Sequence, residues 1–143
     1  MVLKRAAVAA LCLALPLLAG CVTQDNGGTS ATVSAAGLRD LSTDEKAVIS
    51  AAVGRVIKDP ASARYRWAKI PANAGNGDAN YCASVNARSN LPGYSGRQLY
   101  VAVVGMEGGQ VKSAVVGAIH GGSDAHVVRT LCKRYGLNPD DAV

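Results

Sequence analysis

The chain has 143 residues, 49% of them hydrophobic and 4% aromatic, with 15 Lys and Arg against 10 Asp and Glu for a formal net charge of +5. That length leaves room for one modest core, and no internal repeat is present. A charge surplus of this size favours solubility and weak attraction to anionic surfaces, and no nucleic-acid partner is expected.

The N-terminus has the three parts of a secretory signal. Lys4 and Arg5 form a positive n-region, and the apolar run from Ala6 to Ala19 is interrupted only by Pro16. As a helix that run reaches about 21 Å, short of the roughly 30 Å hydrocarbon core of a bilayer. Leu18-Ala19-Gly20-Cys21 resembles the lipobox of bacterial lipoproteins. The resemblance implies that the Cys21 thiol receives diacylglycerol and becomes the first mature residue, so the partner at this end is a membrane. It also implies that Val22, rather than aspartate, after the cysteine favours the outer membrane, with the domain facing the periplasm. Two other readings are an ordinary secretory signal with an incidental cysteine, and an uncleaved short anchor.

Removing residues 1–20 takes Lys4 and Arg5 away and leaves 13 basic against 10 acidic side chains, a net charge of +3. It also removes Cys12. With Cys21 taken by lipid, Cys82 and Cys132 remain as an even pair in an oxidising compartment, and a disulfide between them is expected. The chain holds no CxxC, no HExxH and no cluster of Cys and His, so no redox motif, metal site or cofactor is expected.

Cys21 and the small polar residues up to 38 read as a lipidated cysteine and flexible tether. A coil of that length spans about 23 Å, enough to hold a domain off the bilayer but not to cross the periplasm. A single domain then runs from residue 39 to residue 143. Ser42 and Glu45 make the S-x-x-E capping box of a helix, with Asp44 favourable in its first turn. Val48, Ile49, Ala52, Val53, Val56 and Ile57 lie on one stripe, and the helix is expected to end before Pro60.

Strands follow. Residues 64–70 alternate Arg64 and Arg66 with Tyr65 and Trp67, the period of a half-buried strand. From Tyr81 to Asn86 the pattern sets Tyr81, Ala83 and Val85 opposite Cys82 and Ser84. The run Leu99 to Val104 is apolar on both faces, as in a central strand. Glu107-Gly108-Gly109 makes a turn tolerant of positive φ, with Val111 to Val116 as its hairpin partner. A second helix starts near Ser123 as N-cap and presents Val128, Leu131, Cys132 and Tyr135, with Lys133 and Arg134 at its C-terminus. Gly136 suits a left-handed C-prime position, from which Leu137 covers Cys132. The expected fold is α+β: an N-terminal helix, an antiparallel sheet of about four strands, and a C-terminal helix stapled to the sheet by Cys82 and Cys132.

The loop from Asn86 to Gly96 is a candidate binding element. Asn86, Arg88, Asn90 and Tyr94 supply amides, a cation and a stacking face, which suit a glycan or an anionic group; the alternative is a turn whose asparagines bond their own backbone. Lys58 to Trp67 (KDPASARYRW), Tyr81-Cys82, Val85 to Arg88 (VNAR) and Gly93 to Gly96 (GYSG), in that order, are similar to the pattern of a group of small bacterial lipoproteins of uncharacterised activity. That pattern reads KDPxSAxF or KDPxSARY, then CGxVNAKN, then GGYxG. Here Ala83 replaces the glycine after the cysteine, Arg88 replaces lysine, and Leu91-Pro92 precede Gly93. The resemblance implies a shared architecture and an envelope location, and no activity.

Arg64, Arg66 and Lys69 make a candidate basic edge, read either as a solvated edge that blocks strand pairing or as a contact for lipid head groups, phosphates or cell-wall polymers. Their alternation with Tyr65 and Trp67 sends cations and aromatics to opposite sides, against a nucleic-acid surface. Ser123, Asp124 and His126 supply the residue types of a triad, but helix neighbours one and two apart do not face each other. No catalytic residue is assigned. The leading reading is a non-enzymatic envelope lipoprotein, an interaction or structural module with an envelope protein or anionic glycan as partner. A second is an inhibitor or binder of an envelope hydrolase or of cell-wall material, and a third is a cell-wall enzyme using His120 or His126.

Overall fold

A computed structural model describes residues 37–89 and 94–143, with the side chains of Tyr94 and Ser95 left out of the description. The expected signal, the lipid site at Cys21, the tether up to residue 36 and Asn90 in the candidate loop lie outside the described residues. The fold is α+β. In chain order it comprises β1 (Leu38–Arg39), α1 (Thr43–Gly54), β2 (Arg64–Arg66), β3 (Ile70–Pro71), β4 (Gly77–Arg88), β5 (Tyr94–Glu107), β6 (Gln110–Gly121) and α2 (Ala125–Arg134). The main sheet is antiparallel with strand order β2-β4-β5-β6, and β1 pairs with β3 in a separate two-stranded ribbon.

Helix α1 forms where the capping box sits. Ser42 Oγ accepts from the Glu45 backbone N–H, and Glu45 Oε2 accepts from Ser42 N at 2.7 Å. The helix stops at Gly54, earlier than the apolar stripe suggests, and the chain leaves through short turn bonds from Arg55 N and Val56 N. Pro60 packs back on this end of the helix, 3.4 Å from where a Gly54 Cβ would stand, an ordinary van der Waals contact. Ile49, Ala52 and Val53 are buried, whereas Val56 is 51% exposed because it follows the break.

Both faces of the sheet are covered. Tyr81, Ala83 and Val85 of β4 with Tyr100, Ala102 and Val104 of β5 pack against Ile49 and Val53 of α1. On the other face Cys82, Leu99 and Val101 pack against Val128 and Cys132 of α2. This two-sided burial is why β5 reads as an unbroken apolar run. Gly108 (φ +56°) and Gly109 (φ +76°) both take the left-handed values of the tightest hairpin turn between β5 and β6. β6 is longer than the expected Val111 to Val116, because register shifts opposite Val101/Ala102 and Gly105/Met106 break its alternation without ending its pairing. The expected strand over residues 64–70 is instead two short pieces, β2 and β3. Between them Trp67 exchanges backbone hydrogen bonds with Val143, and Tyr81 OH bridges the N–H and C=O of Ala68.

Helix α2 starts at Ala125 rather than after a Ser123 cap. Gly122 at φ +58° opens a short 3-10 turn over Gly122–Asp124, and the Ser123 hydroxyl turns to Asp124 Oδ1 instead of capping the helix. The helix ends as expected: Gly136 (φ +70°) donates to Lys133 O and Leu137 to Cys132 O, and Leu137 packs on the cluster around Cys132. The Cys82–Cys132 disulfide joins the helix to β4, with the two Cα atoms 6.1 Å apart.

One core residue departs from the usual satisfaction of buried polar groups. Tyr100 is fully buried beside Tyr81, its ring centroid 6.2 Å from that of Tyr81, and among the described residues its hydroxyl has no hydrogen-bond partner. Burial pushes its phenol far above the ordinary tyrosine range. Tyr100→Phe is therefore expected to raise stability by about 1 kcal/mol, because it removes an unpaired buried hydroxyl at little change in shape. The urea midpoint at neutral pH measures it.

Candidate functional site

The sheet register builds a cleft on the α2-facing side of β2, β4 and β5. Arg64, Asn86 and Arg97 stand abreast on the three strands, and Arg66 and Ser84 form the next row with Leu99. Ser84 and Asn86 alternate with the inward Ala83 and Val85, so they share a face with Cys82. Tyr65 takes the opposite face, opposite Val85, and stacks on Trp67 with ring centroids 4.9 Å apart. The cleft has a volume of about 350 Å³, with Arg64, Arg66, Ser84, Asn86 and Arg97 in its lining.

Its floor is polar and incompletely paired. Ser84 is 1% exposed, and neither its Oγ nor Asn86 Oδ1 has a hydrogen-bond partner among the described residues. Each such orphan costs about 1–3 kcal/mol relative to a satisfied group. The walls are cationic. Asp140, which follows α2, is the carboxylate held here: it is ion-paired with Arg97 and with Arg129, whose Nε lies 2.9 Å from Oδ2. The Arg129 hydrogen bond, with Arg97 nearby, holds the Asp140 carboxyl below its ordinary range, so it stays ionised at neutral pH. Arg64 and Arg66 add two further guanidinium groups to the lining of the cleft.

The pieces of the sequence pattern meet here. Asp59 caps the turn over Pro60–Ser62 by accepting from Ser62 N, and Ser62 Oγ accepts from Arg88 N at 2.8 Å. The KDPASAR segment is thus bound edge to edge with VNAR, and Asp59 and Ser62 have a structural task in that junction. Arg88 lies beside the cleft, in an adjoining hollow with Asp59, Ser62 and Arg64. Asn86 is in the cleft; Asn90 and the Tyr94 side chain are outside the described residues. Of the three basic-edge residues, Arg64 and Arg66 come together. Lys69 instead lies 3.9 Å from Asp40, by a separate apolar cleft that includes Trp67, Ile70 and Leu137.

Arg97 and Ser84 were not singled out from sequence. The signal for Ser84 was a hydroxyl inside the otherwise apolar run Tyr81 to Val85; Arg97 carried none, because its place depends on register. Ser123 and His126 do not form a nucleophile and base pair, since His126 Nδ1 is bonded to the Ser123 backbone carbonyl at 2.7 Å and the Ser123 hydroxyl to Asp124. Among the described residues no group of three or more His, Cys, Asp or Glu side chains gathers at one point, and no helix is long and apolar enough to cross a membrane. No protein-family model, curated protein or solved structure matches the chain.

Proposed function

We propose that this chain is a lipid-anchored protein of the bacterial envelope, tethered through Cys21 at the outer membrane, whose folded domain binds a partner rather than catalysing a reaction. Its binding surface is the arginine cleft, and its partner carries negative charge. The observation that supports the reading best is the convergence of Arg64, Arg66 and Arg97 on a floor where Ser84 and Asn86 hold buried polar atoms without partners. Guanidinium groups donate in a fixed fork that suits carboxylate and phosphate oxygens.

Both halves are open to test in one strain set. Cells fed radiolabelled palmitate should label the wild-type chain and leave Cys21→Ala unlabelled; label retained by Cys21→Ala rules out the anchor. Wild-type protein should bind dextran sulfate in a salt-sensitive way, with Arg66→Ala and Arg64→Ala eluting at lower NaCl. Unchanged elution of both arginine variants rules out the cleft as the anionic contact.

A further inference from the structure

We infer that the ligand of the arginine cleft is an acidic sugar, one that presents a hydroxyl beside its anionic group; this rests on the proposed anion-binding reading of the same site. The argument is a matching of donors and acceptors. Arg64, Arg66 and Arg97 can only donate hydrogen bonds, so the part of the ligand facing them must accept. Asn86 Oδ1 can only accept, and it has no partner among the described residues, so the part of the ligand reaching the floor must donate. Ser84 Oγ, buried and also without a partner, can do either. A bare carboxylate or a fully ionised phosphate offers acceptors alone and leaves Asn86 unanswered. A sugar ring carrying a carboxylate or a phosphate answers both demands with one rigid body.

The geometry agrees. Ser84 and Asn86 project from the same face two residues apart, about 7 Å along β4, while the row Arg64, Asn86, Arg97 spans three strands, about 10 Å across. Cation and hydroxyl contacts are therefore spread over a two-dimensional patch, which a ring with substituents on several carbons covers and a linear chain does not. The volume of about 350 Å³ sits at the small end of ligand sites. Among the described residues the aromatic stack of Tyr65 and Trp67 lies on the face opposite the arginines, which disfavours single-stranded nucleic acid in the cleft.

The purified full-length chain is titrated by NMR with glucuronate, glucose 6-phosphate, neutral glucose and sulfate, an anion that carries acceptors alone, at pH 8. At least one acidic sugar is expected to bind tenfold or more tightly than both glucose and sulfate, and which one it is tells carboxylate from phosphate. Ser84→Ala should weaken that sugar several-fold, and more than it weakens sulfate, without lowering the melting temperature. Arg66→Ala should weaken sugar and sulfate alike. Equal affinities for sulfate and the acidic sugars, with Ser84→Ala without effect, overturn the sugar assignment and leave the anion cleft standing. No binding of any anion overturns both.

Discussion

Cys132→Ser is expected to lower the unfolding free energy by about 4 kcal/mol. The bond to Cys82 closes a loop across a sequence separation of 50 residues, and in the chain-entropy model a cross-link of that length restricts the unfolded chain by roughly this amount. It matters more here than the same bond in a larger domain. Helix α2 reaches the sheet through a small cluster, Cys82, Leu99, Val101, Val128 and Cys132, with Leu131 and Leu137 packed around it. Against a total stability of 5–15 kcal/mol for a typical domain, about 4 kcal/mol is a large share. Guanidinium denaturation checks the expectation: the wild-type protein in excess reductant should unfold close to Cys132→Ser, and Cys82→Ala/Cys132→Ala should cost little more than the single variant. A wild-type midpoint indifferent to reductant would show that the noncovalent packing of α2 is sufficient.

The second large effect belongs to Glu45. Its side chain is almost wholly buried and accepts four hydrogen bonds: two from the Arg39 guanidinium at 2.7 Å each, one from Ser42 N, and one from Val111 N at 2.9 Å on β6. Chiefly through the Arg39 contact, the carboxyl is held down to about 2. A carboxyl whose folded value lies below its unfolded one contributes stability that is fully present above the unfolded value, here 4.5, and that is lost as pH falls towards 2. The interval corresponds to about 3 kcal/mol. Glu45→Gln leaves Arg39 facing a neutral group in a partly buried site, at a cost of about 3–5 kcal/mol near pH 7. Between pH 4.5 and 2 it should then lose about 3 kcal/mol less than the wild-type protein, the remaining loss coming from other carboxylates such as Asp140. A variant with the wild-type acid profile would move that loss to other carboxylates.

What could be read from sequence was local. The capping box of Ser42 and Glu45, the Gly108-Gly109 turn, the Gly136 C-prime position and the single cysteine pair are each decided within a few residues or by count, and each stands in the structure. The misreadings have equally local causes. Ser123 has the composition of a cap, but Gly122 gives the chain a 3-10 turn that starts the helix one residue later. The arginine cleft depends on something else. Arg64 and Arg97 are brought across Asn86 by strand register, with a shift between Asn86 and Arg88, and a one-residue slip would send Arg97 to the α1 side. No spacing in the linear chain encodes that row. Likewise the capping box foretold the bond of Glu45 to Ser42, but not that Arg39 and Val111 would share the same carboxylate.

The Arg39 fork also determines how the domain would carry mechanical load. Gly37, the first described residue, accepts at its carbonyl from Ala72 N, and β1 holds only two pairs, Leu38 with Pro71 and Arg39 with Ile70. A pull applied upstream meets this short ribbon and then the Arg39 guanidinium, which also donates to Gly109 O. Through Glu45 the tension divides between the first turn of α1 and the backbone of β6. The ribbon and its ionic clip are thus the first contacts that a pull on Gly37 would strain, ahead of the pairing of β2, β4 and β5.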